Sequence, residues 1–173
     1  MDDKKLRALL TAVQCGSFGK ATAQLGYTQS AMTHLVNKLE AEMGCTVRAY
    51  AYEDGRMTFL SAVNTLPEGF AGENIDAAIH FAPDGKTLVV SNRGDDSLAL
   101  FEAEGGKLTL KQIVKVGGKT PREFAYTPDG KMVFCCNQDS SDITVLKVNA
   151  DGTLTLTDKR FELPRPVSLI WKN

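Results

Sequence analysis

The sequence is poor in the residues that mark several common protein classes. Its 173 residues include only four cysteines and two histidines, and no cysteines stand at a spacing typical of a zinc site. Four cysteines are too few for a disulfide scaffold at this length, so we expect reduced, mostly buried thiols. No apolar run approaches the about 18 residues of a membrane span, and the first residues carry no cleavage signal. We therefore expect a cytoplasmic protein with no membrane contact, no metal and no cofactor.

The sequence also lacks a large excess of positive or negative charge. Twenty basic and 21 acidic residues leave a formal net charge of −1. Residues 1–50 hold six of the basic and four of the acidic residues, and this mild excess does not by itself predict a nucleic-acid partner. The composition, 43% apolar and 24% charged, is that of a folded globular chain, which excludes wholesale disorder.

The hydrophobic period changes near residue 48. Before that point the apolar spacing is helical, and glycines and capping residues separate three predicted helices. The first helix ends at Gly16-Ser17, the second ends at Gly26, and Thr28 is placed to cap a third over residues 29–43. A short chain with helices joined by tight glycine turns is typical of a helix-turn-helix. The apolar positions that define the first and third helices are Leu6, Leu9, Leu10, Val13, Met32, Leu35, Val36, Leu39 and Met43.

After residue 48 short β runs alternate with turn residues, and the pattern repeats. Pro83-Asp84-Gly85-Lys86 returns 45 residues later as Pro128-Asp129-Gly130-Lys131, and Asn92 returns at the same offset as Asn137. One repeat contains four predicted strands, near 77–82, 87–91, 97–102 and 107–115. Four antiparallel strands every 40–50 residues are typical of a β-propeller blade. A plain β-sandwich with similar turns is the alternative.

The first part resembles the DNA-binding head of the LysR-type transcription regulators. Gly16-Ser17-Phe18 matches the family's "GSF", and residues 28–33 with Leu39-Glu40 match its recognition-helix pattern. The resemblance implies that the third helix enters the major groove of DNA. The alternative is that Thr28 only caps the helix and Thr33 is only solvated. The residues that the resemblance implies for DNA contact are Gln29, Ser30, Thr33, His34 and Lys38.

The second part resembles the C-terminal third of the lactonase family, seven-bladed propellers of the 6-phosphogluconolactonase type. The residues that carry the resemblance include Ile79-His80, Ser91-Asn92-Arg93-Gly94 and Gly117-Gly118-Lys119-Thr120-Pro121-Arg122. It implies hydrolysis of a phosphorylated sugar lactone in the pentose phosphate route. One departure is Ala78, where the family usually has a glutamate before the Ile-His step.

Lactone opening needs a group that takes a proton from water and cations that bind anionic groups. His80 is the only histidine of the second part and is the candidate base. Arg93 is a catalytic and substrate-binding candidate, and Arg122 and Lys119 are substrate-binding candidates. The alternatives are that Arg93 pairs with Asp95 or Asp96, that Arg122 pairs with Glu123 or an inter-blade carboxylate, and that His80 is an ordinary sheet residue.

Together these patterns predict a mixed α then all-β chain. A three-helix helix-turn-helix over residues 1–48 precedes about two and a half four-stranded propeller blades over residues 49–173. Neither family pattern is complete, so we expect a chimera whose open blade edges favour homo-oligomers. In this interpretation residues 54–60 are an outer strand of a lost blade, and residues 166–171 are the first strand of a closing blade. The main alternatives are a DNA-binding regulator with the β part as an oligomerising or sensing body, and a fragment without function.

Overall fold

The structure is a computed structural model that describes residues 23–26, 28 and 45–172. The chain divides into two compact units, residues 1–44 and residues 45–173. In the first unit residues 23–25 are helical, and Gly26 has a φ of +70°, which suits a helix that ends at a glycine. The other helices predicted for this unit lie outside the described residues. Among the described residues, no helix combines the length and apolar character needed to cross a membrane.

The second unit consists of ten strands joined by short turns. Each strand carries the alternating or continuous apolar pattern of a sheet that is covered on one or both faces. The strands are β1 (Thr46–Glu53), β2 (Arg56–Asn64), β3 (Ile75–Phe81), β4 (Thr87–Arg93), β5 (Ser97–Glu104), β6 (Lys107–Lys115), β7 (Pro121–Tyr126), β8 (Met132–Asn137), β9 (Asp142–Val148) and β10 (Leu154–Glu162).

The strands form three antiparallel sheets. β3 to β6 pair in chain order, β7 to β10 do the same, and β1 and β2 form a separate hairpin. We call these the first full blade, the second full blade and the partial blade. The partial blade corresponds to the two outer strands of a full blade, because its bulge between Ala49 and Tyr50 matches the bulge between Leu100 and Phe101 in the β5–β6 pair. The segment predicted as one outer strand, residues 54–60, is thus the turn of a hairpin and the first half of β2.

The Pro-Asp-Gly turns are built by their aspartates. Asp84 Oδ1 accepts hydrogen bonds of 2.8 Å from the backbone N–H groups of both Lys86 and Thr87, and Gly85 has a φ of +66°. In the second full blade, Asp129 Oδ1 accepts from the Lys131 N–H at 3.1 Å. The hydrogen bonds hold the Asp84 and Asp129 carboxylates in their charged forms, which lowers the pKa of both below the usual range despite some desolvation. These turns set the register of the first two strands of each full blade.

The apolar core lies between the blades. One cluster joins the two full blades and includes Leu98, Leu100 and Phe124, and Cys135 is fully buried within it. A smaller cluster joins the partial blade to the first full blade through Val47 and Phe101. Each sheet therefore buries one face against the next sheet, as stacked repeats do. Inner strands β3 and β7 contact each other, and outer strands β2, β6 and β10 follow one another in contact.

Two boundaries differ from the sequence prediction. β1 begins at Thr46, so the last residues assigned to the helical unit, which was predicted to extend to residue 48, are in a strand. Residues 166–171, predicted as the first strand of a further blade, are irregular. A strand requires a hydrogen-bonded neighbour, and this segment has no paired strand beside it. The predicted strands of the first full blade agree with β3 to β6 to within two residues at each end.

Candidate functional site

The inner strands β3 and β7 bring a histidine and a glutamate together. His80 Nε2 lies 2.7 Å from Glu123 Oε1, although the two residues are 43 positions apart in the chain. A carboxylate can only accept, so Nε2 carries the hydrogen and Nδ1 is the basic nitrogen of the neutral ring. The His80 side chain is 47% exposed and the Glu123 side chain is 26% exposed. This base therefore has an oriented ring and access to solvent.

Neighbouring groups hold this pair in place. The same Glu123 oxygen accepts the Phe124 N–H at 2.9 Å. The buried Phe124 ring meets the His80 ring edge to face, with centroids 5.0 Å apart at 78°. An open groove of about 300 Å³ runs beside the pair, and its other lining residues are Phe81, Pro83, Ala125, Tyr126 and Leu169.

Glu123 occupies the position in the second full blade that Ala78 occupies in the first full blade. It lies opposite Cys136 on β8, 45 residues after Ser91, and the Ser91 hydroxyl accepts the Ala78 N–H. Both residues lie at the bulge of their inner strand. The glutamate that the family pattern leads one to expect at Ala78 is thus absent there, and a glutamate in the next blade reaches His80. Burial, followed by the nearby Glu123 charge, raises the pKa of the Cys136 thiol to about 11.

Arg93 ends β4 and lies opposite Ile75, where β3 begins. Its Nε is buried and has no hydrogen-bond partner among the described residues. The two aspartates that the sequence offered as partners of Arg93 bind other groups. Asp95 pairs with Lys115 at 2.7 Å, and Asp96 accepts the Thr120 N–H at 2.8 Å. Arg93 is therefore half-buried without an ion pair in the described part of the chain, an arrangement that suits an anionic ligand.

Arg122 and Lys119 are exposed and flank the start of β7. Neither forms an ion pair among residues 45–172, and the Glu123 carboxylate bonds His80 instead of Arg122. Between them, Thr120 has a φ of +60°, a left-handed conformation that is strained for a β-branched residue. Hydrogen bonds between the Thr120 N–H and Asp96 and between the Thr120 hydroxyl and Asp139, at 2.8 and 2.6 Å, maintain that conformation. Lys119 and Arg122 are thus carried on a fixed backbone.

The predicted site residues do not form one compact cluster. The structure joins His80 to Glu123, and Arg122 is the chain neighbour of Glu123. Arg93 lies opposite Ile75, five residues before His80 on β3, which is about 15 Å along a strand. The candidate DNA-contact residues Gln29, Ser30, Thr33, His34 and Lys38 lie outside the described residues. In the part of the chain that the structure describes, no three His, Cys, Asp or Glu side chains are grouped as metal ligands would be.

A polar cluster that the sequence did not predict lies at the start of β3. The Asp76 carboxylate accepts the Thr65 hydroxyl at 3.0 Å and the Asn74 amide at 3.3 Å. Burial raises the pKa of the Asp76 carboxyl, and these hydrogen bonds oppose the effect only in part. The Cys45 thiol lies 3.1 Å from the Asn74 amide, and burial raises the pKa of this thiol too. No short motif marks this cluster, because its members come from three separate segments.

Comparisons with known proteins match both parts of the chain. The model of the lactonase family, seven-bladed β-propellers, matches residues 30–171. The chain belongs to the lactonase family. A second family model, the helix-turn-helix of the bacterial LysR regulators, matches residues 4–47. The two matches support a chain with two parts of different family origin.

Relatives of the lactonase part include solved structures. The periplasmic gluconolactonase of Pseudomonas aeruginosa is 32% identical, with a TM-score of 0.69 over 73% of this chain and 36% of that one. A candidate 6-phosphogluconolactonase of Bacteroides fragilis is 32% identical, with a TM-score of 0.64 over 73% and 35%. An uncharacterised protein of Lactococcus lactis is 37% identical over 73% of this chain and 38% of its own length.

These lactonase relatives are much longer than the matched segment. The chain spans little more than a third of the length of each. The β-propeller fold and the lactonase family are thereby established for residues 45–172. The location in the cytoplasm stays a prediction, since one of the relatives is periplasmic by name.

Proposed function

We propose that the propeller part of this lactonase-family chain acts in the hydrolysis of a phosphorylated sugar lactone such as 6-phosphogluconolactone. The observation that carries the proposal is the 2.7 Å hydrogen bond between His80 and Glu123 on adjacent inner strands. A carboxylate that fixes the tautomer of an exposed histidine is the arrangement that prepares imidazole as a general base. The names of the relatives supply the substrate class.

The proposed reaction uses His80 twice. Nδ1 takes a proton from water while the water oxygen bonds to the lactone carbonyl carbon, and Glu123 stabilises the resulting imidazolium. The carbon–oxygen bond of the ring then breaks, and the imidazolium returns the proton to the departing ring oxygen. Arg122, next to Glu123 in the chain, supplies positive charge for the oxyanion of the tetrahedral intermediate that forms between these two steps.

Arg93 and Lys119 bind the anionic end of the substrate in this proposal. A phosphorylated sugar lactone carries an anionic phosphate in addition to the carbonyl that reacts. Arg93 is half-buried and forms no ion pair among the described residues, and its planar guanidinium is well shaped for phosphate oxygens.

The test is a coupled dehydrogenase assay on fresh 6-phosphogluconolactone with the full 173-residue chain. We expect hydrolysis above the spontaneous rate and about a 100-fold loss of kcat in Glu123→Gln, with KM nearly unchanged. We expect Arg93→Ala to raise KM for the phosphorylated lactone and to leave KM for unphosphorylated gluconolactone unaltered. The matched control is Arg56→Ala, which removes an exposed arginine from the start of β2.

Two outcomes would contradict the proposal. One is a wild-type rate equal to spontaneous hydrolysis at high protein concentration. The other is a rate that Glu123→Gln and Arg56→Ala leave equally intact, because the His80–Glu123 pair would then have no part in it.

A second candidate function is DNA binding, favoured by the LysR family match over residues 4–47. Gln29 and Ser30 would lie nearest the bases, Thr33 and His34 would reach bases or phosphate, and Lys38 would contact phosphate. We expect duplex binding that weakens steeply with salt, a loss of sequence preference in Gln29→Ala, and a salt slope lower by about one in Lys38→Ala. Lys147→Ala on β9 is the control, and a salt slope that Lys38→Ala leaves unchanged would reject this function.

A further inference from the structure

The dipeptide Asp-Gly occurs four times in the sequence, and each copy lies in a turn with an exposed aspartate. The copies are Asp54-Gly55, Asp84-Gly85, Asp129-Gly130 and Asp151-Gly152. The four glycines have φ values between +66° and +78°, a left-handed conformation that glycine adopts freely. Because glycine has no Cβ, the backbone nitrogen that follows each of these aspartates is open to the aspartyl side chain.

Three of the four aspartate carboxylates are held by their own turns. Each accepts the backbone N–H two residues further on, at 2.8 to 3.1 Å, and a threonine hydroxyl, at 2.6 to 2.7 Å. The three, with the residues that donate to them, are Asp84 with Lys86 and Thr87, Asp129 with Lys131 and Thr127, and Asp151 with Thr153. The threonine hydroxyls, followed by the N–H groups, lower the pKa of the Asp129 and Asp151 carboxyls, so these turns favour the charged form.

The carboxylate of Asp54 is not held in this way. In the part of the chain that the structure describes, it accepts no hydrogen bond and forms no ion pair. Asp54 and Gly55 are the two central residues of the turn that joins β1 to β2, with φ values of +48° and +78°, the pattern of a type I′ turn. Of the four aspartates, Asp54 alone has a positive φ, which is less favourable for aspartate than for glycine.

The four sites therefore share their dipeptide and their exposure, and they differ in what holds the carboxylate. An aspartyl side chain can form a ring with the next backbone nitrogen only when its carboxyl is protonated, since water is then the leaving group, and when it is free to turn back toward the chain. The hydrogen bonds oppose both conditions at Asp84, Asp129 and Asp151. They oppose neither condition at Asp54.

We propose that Asp54 is a site of spontaneous backbone modification, at which the Asp54-Gly55 bond rearranges through a succinimide to an isoaspartyl bond. The Gly55 nitrogen bonds to the Asp54 side-chain carboxyl carbon, and the carboxyl hydroxyl leaves as water with the amide hydrogen. Water then opens the ring. Cleavage between the nitrogen and the side-chain carbon restores aspartate, whereas cleavage between the nitrogen and the Asp54 backbone carbonyl carbon gives isoaspartate with a free α-carboxylate.

The product no longer fits the turn. An isoaspartyl residue places its Cβ in the main chain, so the connection between Glu53 and Arg56, which pair across the hairpin, becomes one atom longer. A two-residue type I′ turn matches the twist of its strands only at its normal length. The modification therefore loosens the end of the β1–β2 hairpin. Its free α-carboxylate is the group that a methyltransferase specific for isoaspartyl residues would recognise, and we infer that class of enzyme as the partner of the modified turn.

The inference does not depend on the enzymatic one, and its test uses no substrate. The full 173-residue chain is kept at physiological temperature and neutral pH for several weeks, digested at mildly acidic pH, and analysed by electron-transfer mass spectrometry, which separates isoaspartate from aspartate at each site. All four sites are thus compared in one sample. We expect about tenfold more isoaspartate at Asp54 than at each of the other three, the factor that one hydrogen bond to a charged group supplies. An amount at Asp54 equal to or below that at the other sites, including none at any of them, would overturn the proposal.

Two further measurements test the cause of the difference. In concentrated urea the turns are lost, so we expect the four sites to react at similar rates, and an excess at Asp54 that persists in urea would contradict the structural explanation. Thr153→Val removes the hydroxyl that donates to Asp151 and is expected to raise isoaspartate there severalfold, with circular dichroism as the check on folding. The matched control is Thr155→Val, since the Thr155 hydroxyl contacts Asn149, as that of Thr153 also does, but not Asp151. Equal amounts at Asp151 in these two variants would also count against the proposal.

Discussion

Phe124 and Ile79 hold the same position in the two full blades, yet their surroundings differ. Both lie on the inner strand directly after the bulge, opposite Cys135 and Val90. Phe124 is 1% exposed because the first full blade covers it, whereas Ile79 is 51% exposed because the described residues of the partial blade include no inner strand. Whether a side chain on an inner strand is buried thus depends on the neighbouring blade and not on the strand itself.

The largest expected effect follows from this pair. Phe124→Ala leaves a cavity in the main core, so we expect it to lower the free energy of unfolding by about 3–5 kcal/mol. Ile79→Ala removes a side chain that is half exposed, and we expect it to lower the free energy of unfolding by less than about 1 kcal/mol. Urea unfolding followed by circular dichroism measures both. Equal losses would mean that the two inner strands are covered to the same extent.

The two blades also differ around a shared buried asparagine. Asn92 donates to the Thr65 carbonyl at 2.9 Å and to the Ser97 hydroxyl at 3.2 Å. Asn137 donates to the Asp142 carboxylate at 2.9 Å and to the Thr144 hydroxyl at 3.0 Å, and Gly118 packs directly on its amide. A Cβ on Gly118 would lie 2.2 Å from Asn137 Nδ2. Position 118, beside Asn137 of the second full blade, therefore requires glycine.

The next largest effect is expected at this contact. Gly118→Ala should lower the free energy of unfolding by about 2–3 kcal/mol, because the buried Asn137 amide has to move away from its partners. The control is Gly105→Ala, where a Cβ meets nothing within 4 Å and only the φ of +55° opposes the change. We expect about 1 kcal/mol there. Thermal unfolding that ranks Gly105→Ala as the more damaging substitution would contradict this explanation.

The fold of the β part was predictable because its signals are local. Turn residues such as Pro83-Asp84-Gly85 and the spacing between them place the strands, and the repeat at an offset of 45 predicts two like sheets. The irregular segment 166–171 was not predictable in this way, because an extended run becomes a strand only beside a partner. The sequence predicted one outer strand of the partial blade, over residues 54–60, but not β1, since the run from Thr46 overlaps the predicted helical unit.

The candidate site was predictable only in part. His80 is conspicuous as the single histidine after residue 34, but its partner is 43 residues away and approaches through the packing of one blade on another. The repeat offset carries the missing information, because the position equivalent to Ala78 is Glu123. The polar cluster around Asp76 has no such signal. Its partners are Cys45, directly before β1, Thr65, directly after β2, and Asn74, in the connection to β3.

The smallest expected effect concerns Asp76, for which the second full blade has Pro121 at the equivalent position, opposite Asn137. Burial raises the folded-state pKa of Asp76 above its ordinary value of 3.8, so the folded state binds the proton more tightly than the unfolded state does. The stabilisation from this proton is complete below pH 3.8 and is lost as the pH rises through the raised pKa.

At neutral pH the buried charge of Asp76 lowers the stability of the folded state, and Asp76→Asn removes this charge, while the asparagine oxygen still accepts the Thr65 hydroxyl. Because Asp76 is only partly buried, we expect the variant to gain about 1 kcal/mol or less over wild type at pH 7. That gain should shrink toward zero as the pH falls below 4, as measured by thermal unfolding at both pH values, and Asp54→Asn in the exposed β1–β2 turn is the control. An advantage that grows on acidification would show that the Asp76 carboxylate is stabilised by its hydrogen bonds more than burial penalises it.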